Sequence, residues 1–453
     1  MTNGRHQMPA AAGRGAERRG EALSEALSDE PNVPQSEAKS AGSALLQRML
    51  TKENMQRAWK RVKANKGAAG VDGLDIEQTA EQLKRQWPGI KERLLNGTYR
   101  PSPVRRVGIP KSDGSERELG IPTVTDRLIQ QALLQTLQPL LDPTFSKHSH
   151  GFRPGRRAHD AVLEAQRYVQ AGCRVVVDVD LAKFFDRVNH DILIDRLRKR
   201  IPDTGVIRLV RAYLNSGIMA DGVVRERYQG TPQGGPLSPL LANVLLDEVD
   251  RELERRGHRF VRYADDCNVY VRSRRAGERV MGLLRSLYGK LRLQINESKS
   301  AVASAFGRNF LGYAFWAALA GEVKRAVSRK ALATFRQNVR WRTRRSGGRS
   351  MAQVIERIRP HVLGWRAYFG LAQTPQIWRE LDEWMRHRMR AIQLKQWRYG
   401  RTIYRELRAL GAAAEVAQQV AANSRRWWRN SGGALNRVLT IRYFDRLGMP
   451  RLT

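Results

Sequence analysis

Two cysteines in 453 residues, Cys173 and Cys267, are too few and too far apart for a disulfide framework or a structural zinc site, and they fit a reducing cytosol. No apolar run reaches the roughly 18 residues that a membrane span needs, so no span is expected, and no lipidation motif supports a membrane partner. The opening "MTNGRHQMPAAAGRG" lacks the apolar stretch of a secretion signal. Acidic residues are the main shortage: 44 Asp and Glu stand against 81 Lys and Arg, a formal charge of +37. That excess has no internal counterpart, so a polyanionic partner is expected. The length leaves room for several domains and a substantial core.

Residues 1–42 are rich in Ala, Gly, Ser, Glu and Arg without apolar periodicity, and are expected to be disordered. From Leu45 through Met49, Met55, Ala58 and Val62 the spacing is helical, and Gly67 closes the run. "VRRVGIPKSDGSERELGIP" predicts two strands joined by a turn at Ser112–Gly114. "TDRLIQQALLQTLQPLL" predicts a helix with Thr125 as N-cap, and "SPLLANVLLDEVDRELERR" a helix capped by Ser238. Strands and helices mixed in this order suggest an α+β domain of antiparallel sheet covered by helices.

The few carboxylates are arranged in a way that needs a cause. In "VVVDVDLAKFFD", strand geometry puts Val175, Val177 and Val179 on one face and Val176, Asp178 and Asp180 on the other. Taken alone, that second face has a solvated reading. "RFVRYADDCNVYVRS", however, predicts a hairpin with Asp265 and Asp266 at its tip. Adjacent carboxylates in a cleft repel unless a cation offsets them. Asp180 together with the Asp265–Asp266 pair supplies the hard oxygen ligands that Mg²⁺ prefers. Two such ions about 3.5–4 Å apart can activate an attacking 3′-hydroxyl and stabilise leaving pyrophosphate.

A Tyr-x-Asp-Asp tetrapeptide alone is weak evidence. Its company is stronger: a basic strand pair, then "DLAKFFD", "YQGTPQGGPLSPLLAN", "YADD", "LQINESKS" and "NFLGY", in that order. From about residue 45 onward the chain resembles the bacterial group II intron-encoded reverse transcriptases, or maturases. The resemblance implies an α+β right-hand polymerase of fingers, palm and thumb with an antiparallel palm sheet, followed by a mainly helical maturase and DNA-binding region. It places the N-terminal extension and fingers at 43–170, the palm at 171–320, the thumb or maturase domain at 321–395 and a DNA-binding segment at 396–453.

The same resemblance implies residue roles. Asp180, Asp265, Asp266 and the Leu181 backbone carbonyl would hold two Mg²⁺ ions, with Mn²⁺ an acceptable substitute. Arg105, Lys111 and Arg117 would contact the triphosphate of an incoming dNTP, with Gln233 and Lys299 beside the nucleotide. Phe185 would stand against the sugar 2′ position and exclude ribonucleotides; its bland reading is a core aromatic. Phe152, Arg153, Gly234, Gly312 and Tyr313 would shape the path of an RNA template and its DNA primer. The implied partners are group II intron RNA and target DNA.

Residues 324–453 hold 29 basic and 7 acidic residues and seven of the ten tryptophans. In "WRELDEWMRHRMRAIQLKQW", Trp378, Leu381, Met385, Met389 and Ile392 follow helical spacing and predict a core face, leaving Arg386 and Arg390 on another face that suits RNA phosphate or, taken as a single helix, plain solvent. No Cys or His follows His387, so the zinc-containing nuclease domain of many relatives, and second-strand nicking with it, are not expected. Two alternatives remain open: a splicing cofactor whose polymerase is idle, and a reverse transcriptase of a retron or defence system.

Overall fold

The computed structural model describes residues 44–110, 114, 116–220, 223–225, 228–319 and 321–453, so the tail expected over 1–42 and Lys111 lie outside the described residues. The chain forms two compact units that divide between Ala303 and Ser304. Among the described residues no helix is long and apolar enough to cross a membrane.

The first unit opens with α1 (Ala44–Met49), α2 (Lys52–Ala64) and α3 (Ile76–Leu95). Met49, Met55, Ala58 and Val62 are buried, as their helical spacing predicts. Strands β1 (Val104–Pro110) and β2 (Glu116–Ile121) pair antiparallel, with Arg105 opposite Ile121 and Ile109 opposite Arg117. Arg105 and Arg117 therefore share one face of the pair, whereas Arg106 lies on the other face and pairs with Glu118. Two short strands, β4 (Ile218–Ala220) and β5 (Val223–Arg225), extend this sheet in the order β2-β1-β4-β5.

Helix α4 (Val124–Leu141) starts two residues earlier than its sequence suggests. Thr123, not Thr125, is the N-cap, and its hydroxyl accepts from Asp126 N at 3.1 Å. After α5 (Ala158–Gln170), strand β3 (Val175–Val179) leads into the short α6 (Phe184–Arg187), then α7 (His190–Arg198) and α8 (Thr204–Asn215). Helix α9 (Ser238–Arg255) begins at Ser238, but Ser238 does not cap it. The Ser238 hydroxyl instead donates to the Pro232 carbonyl at 2.8 Å and accepts from Thr231 at 3.0 Å, which closes the "TPQGGPLS" loop.

The second sheet of this unit has the order β6-β7-β3-β8, from β6 (Arg259–Tyr263), β7 (Asp266–Val271), β3 and β8 (Ala301–Ser304). Helix α10 (Arg274–Lys290) covers one face. A Cβ added at its Gly277 would meet Val302 at 2.4 Å and Val177 at 3.5 Å, so helix and sheet approach closely there. On the other face Tyr168 of α5 meets Tyr270 of β7, ring centroids 6.0 Å apart. Val176, Val177 and Val179 are all buried, so both faces of β3 are covered at its start.

The second unit begins with a hairpin, β9 (Tyr313–Ala317) and β10 (Val323–Val327), and continues as helices α11 (Arg329–Arg342), α12 (Met351–Phe369), α13 (Pro375–Trp397), α14 (Gly400–Ala409), α15 (Ala414–Ala422), α16 (Trp427–Gly432) and α17 (Ile441–Arg446). Its core is aromatic: Trp365 stacks on Phe335 at 4.2 Å and meets Phe369 at 4.8 Å and Trp378 at 5.4 Å. Trp365 and Trp378 are thus core residues and not surface platforms for RNA. Trp365→Ala is expected to destabilise this unit by about 3–5 kcal/mol, seen as a lower denaturant midpoint for its unfolding; an unchanged midpoint would contradict the packing described.

Candidate active site

The register of the second sheet brings the scarce carboxylates together. Val179 of β3 pairs with Cys267 of β7, so Asp180, one residue on, continues opposite Asp266. Facing Cα atoms in such a ladder lie about 4.5–5.5 Å apart. Tyr263 pairs with Asp266, leaving Ala264 and Asp265 as a two-residue turn, with Ala264 at φ +58°. Asp180 and the Asp265–Asp266 pair therefore end on neighbouring strands at one end of the sheet. Asp178, one pair further in, faces Asn268, whose amide in its favoured orientation donates to Asp178 at 2.9 Å. It is a structural acid.

The charges confirm the crowding. The Asp265 carboxyl is raised above its ordinary value by burial and by Asp180, against the pull of Arg117 and Arg262. Asp266 reaches solvent at the open end, yet loss of water and the charges of Asp265, Asp180 and Asp178 push it up to about 7. A group of carboxylates so destabilised as anions suits a cation. Among the described residues no three His, Cys, Asp or Glu side chains already encircle an ion position. The donor set fits Mg²⁺ in another way: this ion takes one or two protein carboxylates and completes its shell with water and substrate oxygens.

Two further segments fix this end. Asp180 N donates to Ser300 Oγ at 3.0 Å, Asn296 N donates to Asp180 O at 2.8 Å, and Ala182 N donates to Gln294 O at 2.8 Å. The "LQINESKS" segment, which carries the exposed Lys299, thereby pins the Asp180–Leu181 backbone. Phe185 is half-buried against Phe184, ring centroids 5.0 Å apart, and its carbonyl accepts from Thr231 N at 2.7 Å. The glutamine loop docks on the first sheet: Gly120 N donates to Gln233 O at 2.9 Å, and Gly234, at φ +134°, leaves no room for a Cβ beside Gly120 O. The Gln233 side chain takes no hydrogen bond among the described residues. Arg105 Nε is buried without a partner, an orphan donor of the kind a bound anion satisfies.

The residue that the sequence reading overlooked is Arg262, within "RYADD" itself. Only 1% exposed, it spends all five of its N–H donors on the protein. Nε and Nη2 donate to Asp250 at 2.6–2.9 Å, Nη1 to Asn243 Oδ1 at 2.9 Å and to Ala264 O at 2.8 Å, and Nη2 to Ser149 Oγ at 2.8 Å. The Ala264 bond grips the turn that carries Asp265. Gly151 closes the other side, where a Cβ would lie 2.0 Å from Ala264 N. The available signal was strand parity: Arg262 falls on the same side as buried Phe260, and Asp250 sits on the apolar stripe of α9 with Leu246 and Leu253.

Several expected roles need correction. Arg153 is buried and its donors bind Asp142, the Ser146 carbonyl and the Ser149 carbonyl, so it staples the loop beneath the hairpin and does not face a template. Phe152 beside it is 43% exposed and keeps its surface. In the second unit Tyr313 is buried: its hydroxyl donates to the Tyr368 carbonyl and its ring packs on Phe369, so the side chain is core. Gly312, at φ +82°, is there because a Cβ would strike Phe369 at 2.9 Å. Arg386 and Arg390 are buried as well. Arg386 pairs with Asp382 and Asp445, and Arg390 donates to the Leu439 carbonyl at 2.9 Å. Burial and Arg386 hold the Arg390 guanidinium down at about 10. The segment Leu439–Thr453 covers the face expected to meet RNA.

A helix-covered antiparallel sheet with carboxylates at a hairpin tip and at the adjoining strand end defines the palm of a right-hand polymerase. Residues 109–315 match the family described as reverse transcriptase (RNA-dependent DNA polymerase), and residues 332–411 match the group II intron, maturase-specific domain. Protein YkfC of Escherichia coli (strain K12) is 37% identical over 218 residues, covering 47% of this chain and 57% of that protein. The group II intron-encoded protein LtrA of Lactococcus lactis subsp. cremoris is 39% identical over 198 residues, covering 43% of this chain and 32% of that protein. The match thus spans 57% or less of these relatives' own length. The chain therefore carries a reverse transcriptase domain followed by a group II intron maturase-specific domain.

Removing one partner of a buried ion pair costs about 3–5 kcal/mol. Asp250→Asn is expected to lower the unfolding free energy of the first unit by that order, and Asp250→Leu combined with Arg262→Met to lose less than the sum of the two single changes. Additive losses in a denaturant titration would show that the two side chains do not act together.

Proposed function

We propose that the chain is an RNA-directed DNA polymerase that also binds group II intron RNA as a splicing maturase, supporting intron mobility into target DNA. The observation that carries the reading is the meeting of Asp180 with Asp265 and Asp266 at the end of β3 and the β6–β7 turn, with the anionic forms of Asp265 and Asp266 destabilised until a cation arrives. Asp180, Asp265, Asp266 and the Leu181 carbonyl would hold two Mg²⁺ ions. When bound, these lower the acidity threshold of the primer 3′-hydroxyl and stabilise charge on the departing oxygens.

The chain's own side chains orient the reactants. Arg105 and Arg117, on one face of β1 and β2, take the triphosphate of the dNTP, with Arg105 Nε awaiting an acceptor. Lys111, between them in sequence, is assigned with them by resemblance. The side chain of Gln233, held at the loop that docks on Gly120, is free to meet the nucleotide, and Gly234 lets the backbone come close. The half-buried ring of Phe185 closes the space a ribose 2′-hydroxyl would need. The primer 3′-hydroxyl gives its proton to solvent as its oxygen bonds to the α-phosphorus, the bond from that phosphorus to the bridging oxygen breaks, and pyrophosphate leaves. Phe152 and Lys299 are both exposed, and are assigned by resemblance to template and nucleotide. The fingers, palm and thumb boundaries at 43–170, 171–320 and 321–395, the DNA-binding segment at 396–453 and a cytosolic setting complete the reading.

Asp265→Asn is expected to abolish Mg²⁺-dependent extension of a DNA primer on an RNA template while leaving intron RNA binding within about twofold. Extension by the variant at the wild-type rate would reject the assignment.

A further inference from the structure

With Arg386 and Arg390 buried, the free positive charge of α13 lies elsewhere. A cavity of about 330 Å³ opens in the second unit where α11, α13 and α16 meet. Arg340, Arg344, Arg345, Arg388 and Lys395 line it with Trp428, and no carboxylate does. None of these five cations forms an ion pair among the described residues. Four of them are nevertheless held in place. Arg388 Nε donates to Thr343 Oγ1 at 2.8 Å and Nη2 to the Thr343 carbonyl at 3.2 Å. Arg340 and Arg388 both lie over the indole of Trp384, at 5.7 and 5.5 Å from its centroid. Arg345 and Lys395 likewise lie over Trp427, at 4.3 and 5.5 Å.

Such crowding is unfavourable without an anion. Burial and the charges of Arg340 and Arg345 hold the Arg388 guanidinium below its ordinary value. The rim adds a second kind of contact. Trp428 is 48% exposed, and its indole is stacked on His387 with centroids 3.9 Å apart and planes 20° from parallel. His387 Nε2 also bonds to the Trp428 carbonyl at 2.8 Å. The indole is thus ordered by one face and edge, with surface left over. Fixed cations beside an ordered, half-exposed ring match the two halves of a nucleotide, phosphate and base. A base inside a duplex has no face to offer; a bulged or single-stranded base does.

We propose that this cavity binds one unpaired nucleotide of a nucleic-acid partner, its phosphate among Arg344, Arg345 and Arg388 and its base on Trp428. The inference rests on the reading above only in that the partner is a nucleic acid; it needs no polymerase activity.

The test uses the full chain and four short hairpins: RNA and DNA, each with one bulged adenine or fully paired, followed by fluorescence anisotropy. Wild-type protein is expected to prefer at least one bulged hairpin over its paired form by about tenfold, and whichever bulge is preferred identifies the RNA or DNA source. Trp428→Ala is expected to erase that preference and Trp428→Phe, which keeps a ring, to restore most of it. Arg344→Ala with Arg345→Ala should weaken binding and reduce the salt slope by about 1–2. A preference that survives Trp428→Ala, no preference for either bulge, or an unchanged salt slope would overturn the proposal. Failure of wild-type primer extension would instead overturn the polymerase reading and leave the hairpin result standing.

Discussion

The buried guanidinium of Arg262 is the interaction on which the acidic site depends. A cation out of water is costly unless every donor is met and an opposite charge lies alongside. Asp250 supplies the charge, while Asn243, Ser149 and the Ala264 carbonyl take the remaining donors. These partners come from a loop, a helix and the hairpin itself. The network therefore ties the turn carrying Asp265 to the body of the unit at a point where Ala264 sits at positive φ, a conformation a non-glycine residue rarely adopts unaided. Without that tether, three carboxylates at the sheet end would relieve their repulsion by moving apart.

The site then combines two opposed arrangements of charge. Inside, Arg262 and Asp250 neutralise one another with full hydrogen bonding. A few residues along the same strands, Asp265 and Asp266 are crowded with Asp180 and form no direct ion pair among the described residues. The first arrangement gives rigidity and the second gives affinity for a cation. Arg105 and Arg117 stand on the first sheet, and Arg117 offsets only part of what raises Asp265.

Local pattern was sufficient for the elements of the acidic site. Alternation in "VVVDVD" and the hairpin around "YADD" gave the strands; the two-residue turn sets the β6–β7 register, whereas the pairing of β3 with β7 is long-range and no local pattern reports it. Patterns with a period of two or 3.6 residues report only which side of an element is apolar. They do not report a distant segment that covers a polar side. Arg386 and Arg390 lie on a stripe next to the apolar one, and that stripe is buried by Leu439–Thr453, whose last two backbone N–H groups donate to Asp382. Arg153 and Tyr313 were misplaced for the same reason: their partners, Asp142 and Tyr368, lie in other segments. Arg262 was missed because a charged residue on a strand is ordinarily taken to face water.

The most direct measurement is anomalous diffraction from crystals of the full chain grown with primer-template, an unreactive dNTP analogue and Mn²⁺. The account predicts manganese within roughly 2.5 Å of carboxylate oxygens from both Asp180 and Asp265. Ordered nucleotide with no manganese bridging those two residues would contradict it.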